Sequence, residues 1–184
     1  MMEGIAEEWP RSRARIIGVV YLLHFLTAVG AEVFVGRGRL VLFDAVNHIA
    51  DAFYIAVTLL FYSLFKPVNR SLSLLAAFFG LMGCANDVLS LLNFALYKTS
   101  SPVFFGPYCL LLGYLIFRST FLPRILGVLM APAGLGWLIF LTPFANHLAT
   151  FLKLLGFLAE LSLMLWLIVK GVNVQQWKEQ ASAA

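Results

Sequence analysis

Residues 44–65, DAVNHIADAFYIAVTLLFYSLF, decide the fold of this chain because they form a long, mostly apolar run. An α-helix rises 1.5 Å per residue, so about 20 apolar residues cross the hydrocarbon core of a bilayer. The second half of the run is almost wholly apolar, whereas its start contains Asp44, Asn47, His48 and Asp51. The run therefore predicts a membrane-spanning helix that begins with a polar patch.

The composition extends this interpretation to the whole chain. Of its 184 residues, 61% are hydrophobic and only 12% are charged, whereas a soluble domain contains about 25% charged residues. A single soluble core cannot bury this many apolar residues, so lipid must cover much of the surface. The net charge of +4 comes from Lys and Arg residues placed between apolar runs, a distribution that orients membrane proteins and predicts no nucleic-acid partner.

Six apolar segments predict one all-α domain over residues 1–184, a polytopic membrane helix bundle with six transmembrane helices. The first segment imitates a signal peptide, but its apolar run continues through residues 32–35, so we expect a retained helix. The fourth is the shortest and holds Pro107, so a re-entrant or kinked segment is the alternative there. The predicted helices cover residues 16–35, 44–65, 71–97, 102–117, 123–143 and 147–169, with a polar tail at 171–184.

The Lys and Arg residues predict the orientation. With the N-terminus inside, nine of the 13 are cytoplasmic and four lie at or near the outer face. This excess predicts an N-in/C-in, multi-pass protein of the cytoplasmic membrane, with the lipid bilayer as a partner. The cytoplasmic set is Arg11, Arg13, Arg15, Lys66, Arg70, Arg118, Arg124, Lys170 and Lys178.

Four stretches of the sequence resemble a bacterial membrane-protein family known as domain of unknown function 4386. They are RIIGVVYLLHF (15–25), LFKPVNRSLSLLAAFFGLMGCA (64–85), LLLGYLIFRSTFLPRILGVLMAPAGLGWL (110–138) and LSLMLWLIVKGVN (161–173). The resemblance covers most of the chain, and GYLIFRSTFLPRILGVL (113–129) is its most specific part. It implies a helical integral membrane protein. It implies no substrate, because the family's function is uncharacterised, and it identifies no functional residue.

The polar residues at the start of the second helix share one face. Asp44, Asn47, His48 and Asp51 fall within an arc of about 100°, and other helices carry similar stripes. In the predicted topology the ionisable residues gather in the outer half of the bilayer, where each costs about 2.5–3.5 kcal/mol and faces a bundle interior. They predict a polar pocket that opens outward. Its candidate ligand- or ion-binding residues are His24, Glu32, Asp44, His48, Asp51, Asp87 and Glu160.

The stripes on the first, third and sixth helices extend this pocket. They contain small residues as well, which let helices approach one another. We list the stripes as Tyr21, His24, Ala28 and Glu32; Gly80, Gly83, Asn86, Asp87, Ser90, Asn93 and Tyr97; and Lys153, Gly156 and Glu160. The leading hypothesis is binding of a small polar or amphiphilic ligand or an ion, with transport of that ligand as an extension of it.

Purely structural interpretations exist for the same residues. Glu32 and Asp44 could be interfacial, the first ending one helix and the second N-capping the next. His24 could be a hydrogen-bonded core histidine, and His147 a loop residue. Salt bridges within a structural or partner-binding bundle would account for the remaining charges.

The enzyme and transporter hypotheses each require further features of the chain, such as metal ligands, catalytic motifs or an oligomer. His48, Asp51 and Asp87 could bind a divalent metal in a membrane-embedded hydrolase, since imidazole and carboxylate suit zinc or iron. The sequence has no H-E-x-x-H, no G-x-S-x-G and no Gly-rich phosphate loop, so ligand binding is favoured over catalysis and no cofactor is predicted. A transporter of six short helices without an inverted repeat is expected to act as a homo-oligomer.

Overall fold

A computed structural model describes residues 2–35, 38–91, 102–142 and 145–183. These ranges contain seven α-helices and no strand. A π-helical turn, Ala31–Val35, continues the first helix. The helices are α1 (Met2–Gly30), α2 (Leu40–Phe65), α3 (Arg70–Leu91), α4 (Pro102–Arg118), α5 (Arg124–Ile139), α6 (Ala145–Val169) and α7 (Val174–Ser182). The predicted all-α bundle is confirmed.

Four segments within the described ranges are long and apolar enough to cross a membrane, which indicates a multi-pass membrane protein. They are Pro10–Val35, Val41–Phe65, Arg70–Leu89 and His147–Val169. The other two apolar segments, Val103–Arg118 and Arg124–Ile139, are shorter than these four. α4 runs as one helix through Pro107, so the segment is helical throughout.

Several predicted boundaries are wrong by a few residues, and α1 begins at Met2, 14 residues before the predicted start at residue 16. α2 begins at Leu40 and follows Arg39, whose side chain makes no capping hydrogen bond, so Asp44 lies inside the helix and does not cap it. The apolar residues before Asp44 continue the helical pattern, so the helix begins closer to the N-terminus than predicted. The last part of the predicted third helix, residues 92–97, lies outside the described residues.

The C-terminal segment is also more ordered than predicted. Instead of a polar tail, it contains α7, whose N-cap Asn173 accepts a hydrogen bond at 3.2 Å from the backbone N–H of Gln176. Gly171 has φ +69° and makes the turn between α6 and α7, a conformation that other residues rarely adopt. A cap and a left-handed glycine thus define a separate short helix.

The six longer helices close into a ring. Each of α1 to α5 packs against the next helix, and α6 packs back against α1. One end of the bundle holds the start of α1, the ends of α2, α4 and α6, and the short helix α7; we call it the tail end. We call the opposite end the cavity end. Because consecutive helices are antiparallel, the first halves of α2 and α6 and the second halves of α1 and α3 meet at the cavity end.

Glycines bring α4 and α5 into unusually close contact. A Cβ atom on Gly127 would lie 2.5 Å from the carbonyl oxygen of Gly113, and one on Gly134 would lie 2.8 Å from that of Gly106. In both helices the two glycines are seven residues apart, so they occupy one face two turns apart. The packing role expected for these glycines is therefore observed, and it fixes the backbone of two adjacent helices.

α7 and its N-cap connect two parts of the tail end. Trp177 Nε1 donates to the carbonyl oxygen of Leu64 at the end of α2, at 3.0 Å. The backbone N–H of Asn173 donates to the carbonyl oxygen of Phe121 at 3.1 Å. The backbone N–H of Thr120 donates to Oε1 of Gln180 at 3.1 Å. α7 thus holds α2 and the α4–α5 connection together.

Candidate functional site: a cavity at the end opposite α7

A cavity of about 650 Å³ lies inside the helical ring at the cavity end. This volume falls within the range of about 300–1,000 Å³ that small-molecule sites occupy. Side chains from all six ring helices line it. The ionisable residues among them are His24, Glu32, Asp51, Asp87, Lys153 and Glu160.

Five of the seven candidate residues therefore meet at one cavity, and the other two lie outside it. His48 is adjacent to Asp51, with Nδ1 at 3.2 Å from Asp51 Oδ2, one turn away on α2. Nε2 of His48 is buried and has no hydrogen-bond partner among the described residues. Asp44 is half-buried near the start of α2. The polar patch of α2 is thus divided: Asp51 lines the cavity, and His48 contacts Asp51.

Glu160 is the most deeply buried ionisable residue of the cavity, with only 8% of its surface exposed. The Tyr21 hydroxyl of α1 donates to Oε2 at 2.5 Å, and the Cys109 thiol of α4 contacts Oε1 at 3.9 Å. A carboxylate can accept about four hydrogen bonds, and an S–H is a weak donor. Glu160 therefore retains acceptor capacity where it borders the cavity.

His24 both supports the bundle and lines the cavity. Its Nδ1 lies 2.9 Å from the carbonyl oxygen of Ala50 on α2. A carbonyl oxygen only accepts, so Nδ1 carries the hydrogen and, in the neutral ring, Nε2 is the acceptor. The core-histidine interpretation and the site interpretation of His24 are thus compatible.

Asp51 and Asp87 bring carboxyl groups from α2 and α3 to the same part of the cavity. The two groups are close enough to interact electrostatically. Cys84, which is buried on α3, lies near both of them. Like charges this close repel, so a cation placed between them would lower the electrostatic energy of the site.

Aromatic rings form much of the remaining wall. Tyr54 packs against His24 at 4.8 Å between ring centroids and edge-on against Phe105 at 5.1 Å. Phe25 of α1 packs edge-on against Phe157 of α6 at 5.2 Å. The last two pairs have the edge-to-face geometry that aromatic rings prefer, and the three contacts connect different helices around the cavity.

Trp137 of α5 closes the side of the cavity next to α6. Its indole ring lies over Gly156, where a Cβ atom would be 2.7 Å from Cζ2. Nε1 of Trp137 is buried and has no partner among the described residues. Gly156 therefore provides the space for the ring, which lines the cavity wall.

The metal hypothesis finds no support in these positions. Among the described residues, no three His, Cys, Asp or Glu side chains lie close enough together to hold a metal ion. His48, Asp51 and Asp87 therefore do not form a three-ligand group, although His48 and Asp51 are paired. His147, considered a loop residue from the sequence, lies in α6 with its side chain exposed.

Sequence reasoning missed three contributors to this site. Cys109 lies in an apolar segment, where a free cysteine usually packs as a small buried hydrophobic residue; it is buried, but it also contacts Glu160. Phe105 and Trp137 line the cavity, and nothing in their spacing distinguishes them from lipid-facing aromatics. Tyr21 and Lys153 did carry a signal, because both belong to the polar stripes of their helices.

The resemblance to the family is confirmed in the second half of the chain. The family described as Domain of unknown function (DUF4386) matches residues 85–171. An uncharacterised protein of Archaeoglobus fulgidus is 28% identical over 134 residues, which cover 66% of this chain and 79% of that protein. The similarity thus extends to an archaeal protein. No solved structure matches the chain significantly.

Proposed function

We propose that this protein binds a small polar or amphiphilic ligand, or an ion, in the cavity of about 650 Å³. The observation that supports this proposal most directly is the meeting of Glu32, Asp51, Asp87 and Glu160 from four different helices around one volume. Ionisable residues are rare within membrane helices and usually mark ligand, ion or proton pathways. A largely apolar cavity with a few convergent polar groups is also the usual form of a small-molecule site.

In this proposal the chain crosses the cytoplasmic membrane six times, with both termini inside. The nine Lys and Arg residues predicted to be cytoplasmic all belong to the tail end, a distribution that supports this orientation. The two shorter helices, α4 and α5, complete the crossing within the ring. The cavity then opens toward the outside.

Binding is favoured over passage by the packing below the cavity. Fully buried apolar side chains, including Leu112, Met130 and Leu163, fill the ring between the cavity and the tail end. A ligand could cross this core only after the helices had moved apart. Transport, if it occurs, therefore requires a second conformation in which the tail end opens.

The proposed function can be tested with a cavity-filling variant. Thermal unfolding of the purified protein would be measured with a panel of amines, carboxylates, alcohols and neutral amphiphiles, because a ligand at 100 times its Kd stabilises the folded state by about 2.7 kcal/mol. Ala28→Trp should remove the stabilisation, since Ala28 lines the cavity. The control is Ala52→Trp on the exposed surface of α2.

At least one compound should stabilise the parent and the Ala52→Trp variant but not the Ala28→Trp variant. The proposal is wrong if no compound of the panel stabilises the parent. It is also wrong if the stabilising compounds act equally on the Ala28→Trp variant, because they then bind elsewhere.

The orientation has its own test by cysteine labelling. Cys84 and Cys109 are buried, so they should react poorly with a membrane-impermeant maleimide. A cysteine at Lys153, which is exposed and borders the cavity, should be labelled in intact cells. A cysteine at Ser182 in α7 should be labelled only after the membrane is permeabilised. The reverse pattern would contradict the N-in/C-in orientation.

A further inference from the structure

We infer that the ligand is a hydrophobic organic cation, such as an amine or a quaternary ammonium compound with an apolar substituent. This inference rests on the proposed function and specifies the class of ligand for the same cavity. It follows from the juxtaposition of carboxyl groups and aromatic rings around a volume that suits a small organic molecule.

The charge of the lining selects for cations. Among the described residues, four carboxyl side chains border the cavity, against one ammonium group, that of Lys153. Lys153 is exposed, whereas Glu160 is more than nine-tenths buried. The deeper part of the cavity is therefore acidic. An anionic ligand would meet carboxyl groups on several sides, whereas a cation would meet groups of opposite charge.

Glu160 provides a specific acceptor in the deepest part of the site. Tyr21 donates to one carboxyl oxygen, and the weak thiol donor of Cys109 contacts the other. These two contacts leave acceptor capacity on the carboxyl group. An ammonium or amine N–H donor in the cavity could use this capacity, whereas a quaternary ammonium group would interact with it by charge alone.

The aromatic rings favour an organic cation over an inorganic one. Tyr54, Phe105, Trp137 and Phe157 line the same volume as the carboxyl groups. A cation within about 6 Å of a ring face gains about 0.5–2 kcal/mol, and quaternary ammonium groups are commonly bound in this way. A bare metal ion would instead need several oxygen or nitrogen ligands together, and the described residues contain no such group.

The test compares two probes that differ in charge alone. Benzyltrimethylammonium and its carbon isostere neopentylbenzene have nearly the same size and shape, but only the first is a cation. Their binding would be measured by equilibrium dialysis against the full chain in nanodiscs of a zwitterionic lipid. Empty nanodiscs correct for partition into the lipid. We expect the cation to bind at least about tenfold more tightly, which corresponds to about 1.4 kcal/mol.

Carboxylate variants locate the effect in the cavity. Asp51→Asn and Asp87→Asn should each weaken binding of the cation about fivefold to tenfold and leave the neutral probe unchanged, because only the charge is removed. Asp44→Asn is the matched control. Asp44 is an aspartate of the same helix as Asp51 but does not line the cavity, so its removal should change binding less than twofold.

Equal affinity for the two probes would overturn the inference while leaving the proposed function intact, since both would then bind without regard to charge. Equal weakening by Asp44→Asn and Asp51→Asn would also overturn it, because a general surface charge would explain the effect. If neither probe binds, the inference is wrong; the proposed function fails with it only if the wider panel of compounds contains no ligand sensitive to Ala28→Trp.

Discussion

Two cavities of about 650 Å³ each lie at opposite ends of the bundle, and they differ in almost every other respect. The cavity inside the ring is bordered by four carboxyl groups and several aromatic rings. The one at the tail end is a surface cleft between the α6–α7 turn and the α4–α5 connection. Its charged residues are Arg11 and Lys170, and no carboxyl group from the described part of the chain lines it.

The difference follows from what each end contacts. Cations at the tail end suit the headgroup region, where Lys and Arg side chains extend toward phosphate and water. Carboxyl groups inside a ring of membrane helices have no such solvent and are expensive to retain. The cleft at the tail end is therefore an expected surface feature, whereas the cavity of equal volume at the cavity end indicates a function.

The largest loss of stability is expected when a side chain is added where α4 packs closely against α5. Gly127→Leu is expected to cost about 3 kcal/mol or more, because even a Cβ atom would lie 2.5 Å from the backbone oxygen of Gly113. The control is Gly30→Leu, since a Cβ atom on Gly30 would meet nothing within 4 Å. The folded fraction after heating, measured by gel filtration, should fall for Gly127→Leu alone. Equal losses would show that this helix pair is not specially constrained.

Loss of the tail-end tryptophan should have the next largest effect. Trp177→Ala removes a part-buried ring and the hydrogen bond from its Nε1 to Leu64, so we expect a loss of about 2 kcal/mol. Gln175→Ala, on the exposed side of the same helix, should leave the melting temperature unchanged. If the two variants melt alike, α7 does not stabilise the tail end.

At the cavity end the corresponding test is Tyr21→Phe, which removes the donor to Glu160 and should cost about 1–2 kcal/mol. The control is Tyr114→Phe on α4, whose ring is half exposed. In a Glu160→Leu background Tyr21→Phe should no longer destabilise the protein, because the hydroxyl has lost its acceptor. If Tyr21→Phe still destabilises the protein in that background, the hydrogen bond to Glu160 is not the reason for its effect.

These two ends also differ in how much of them could be predicted. Membrane helices are specified by apolar runs long enough to cross a bilayer. The helical bundle could therefore be predicted from such runs, of which residues 44–65 are one. Ionisable residues in those runs indicated the cavity, because their burial is costly wherever it occurs. The sequence therefore predicted the place of Asp51, Asp87 and Glu160 at the cavity.

Other features depend on contacts between helices that a single sequence does not reveal. His48 shares the helix face of Asp51 yet packs beside the cavity, because a face of about 100° is wider than the part of it that a cavity occupies. Trp137 lines the cavity only because Gly156, on another helix, leaves room for its ring. α7 was missed because its polar composition resembles a tail, and its order depends on contacts with Leu64 and Thr120.

The smallest expected effect concerns the helix cap at the tail end. Asn173→Ala removes the acceptor for the backbone N–H of Gln176, which should destabilise α7 by about 1 kcal/mol. The reference variant is Asn173→Asp, which keeps an acceptor and adds a charge that favours the start of a helix. Backbone hydrogen exchange should accelerate in α7 for Asn173→Ala and not for Asn173→Asp.

Exchange around Tyr54, at the cavity, should stay unchanged in both variants, because the fully buried core between the two ends separates them and local openings remain local. Faster exchange at Tyr54 in the alanine variant alone would contradict this expectation. It would mean that loosening α7 opens the cavity as well, so that the tail end controls access to the site. That coupling is what a transporter requires and a simple binding protein does not, so the cap variant distinguishes the two.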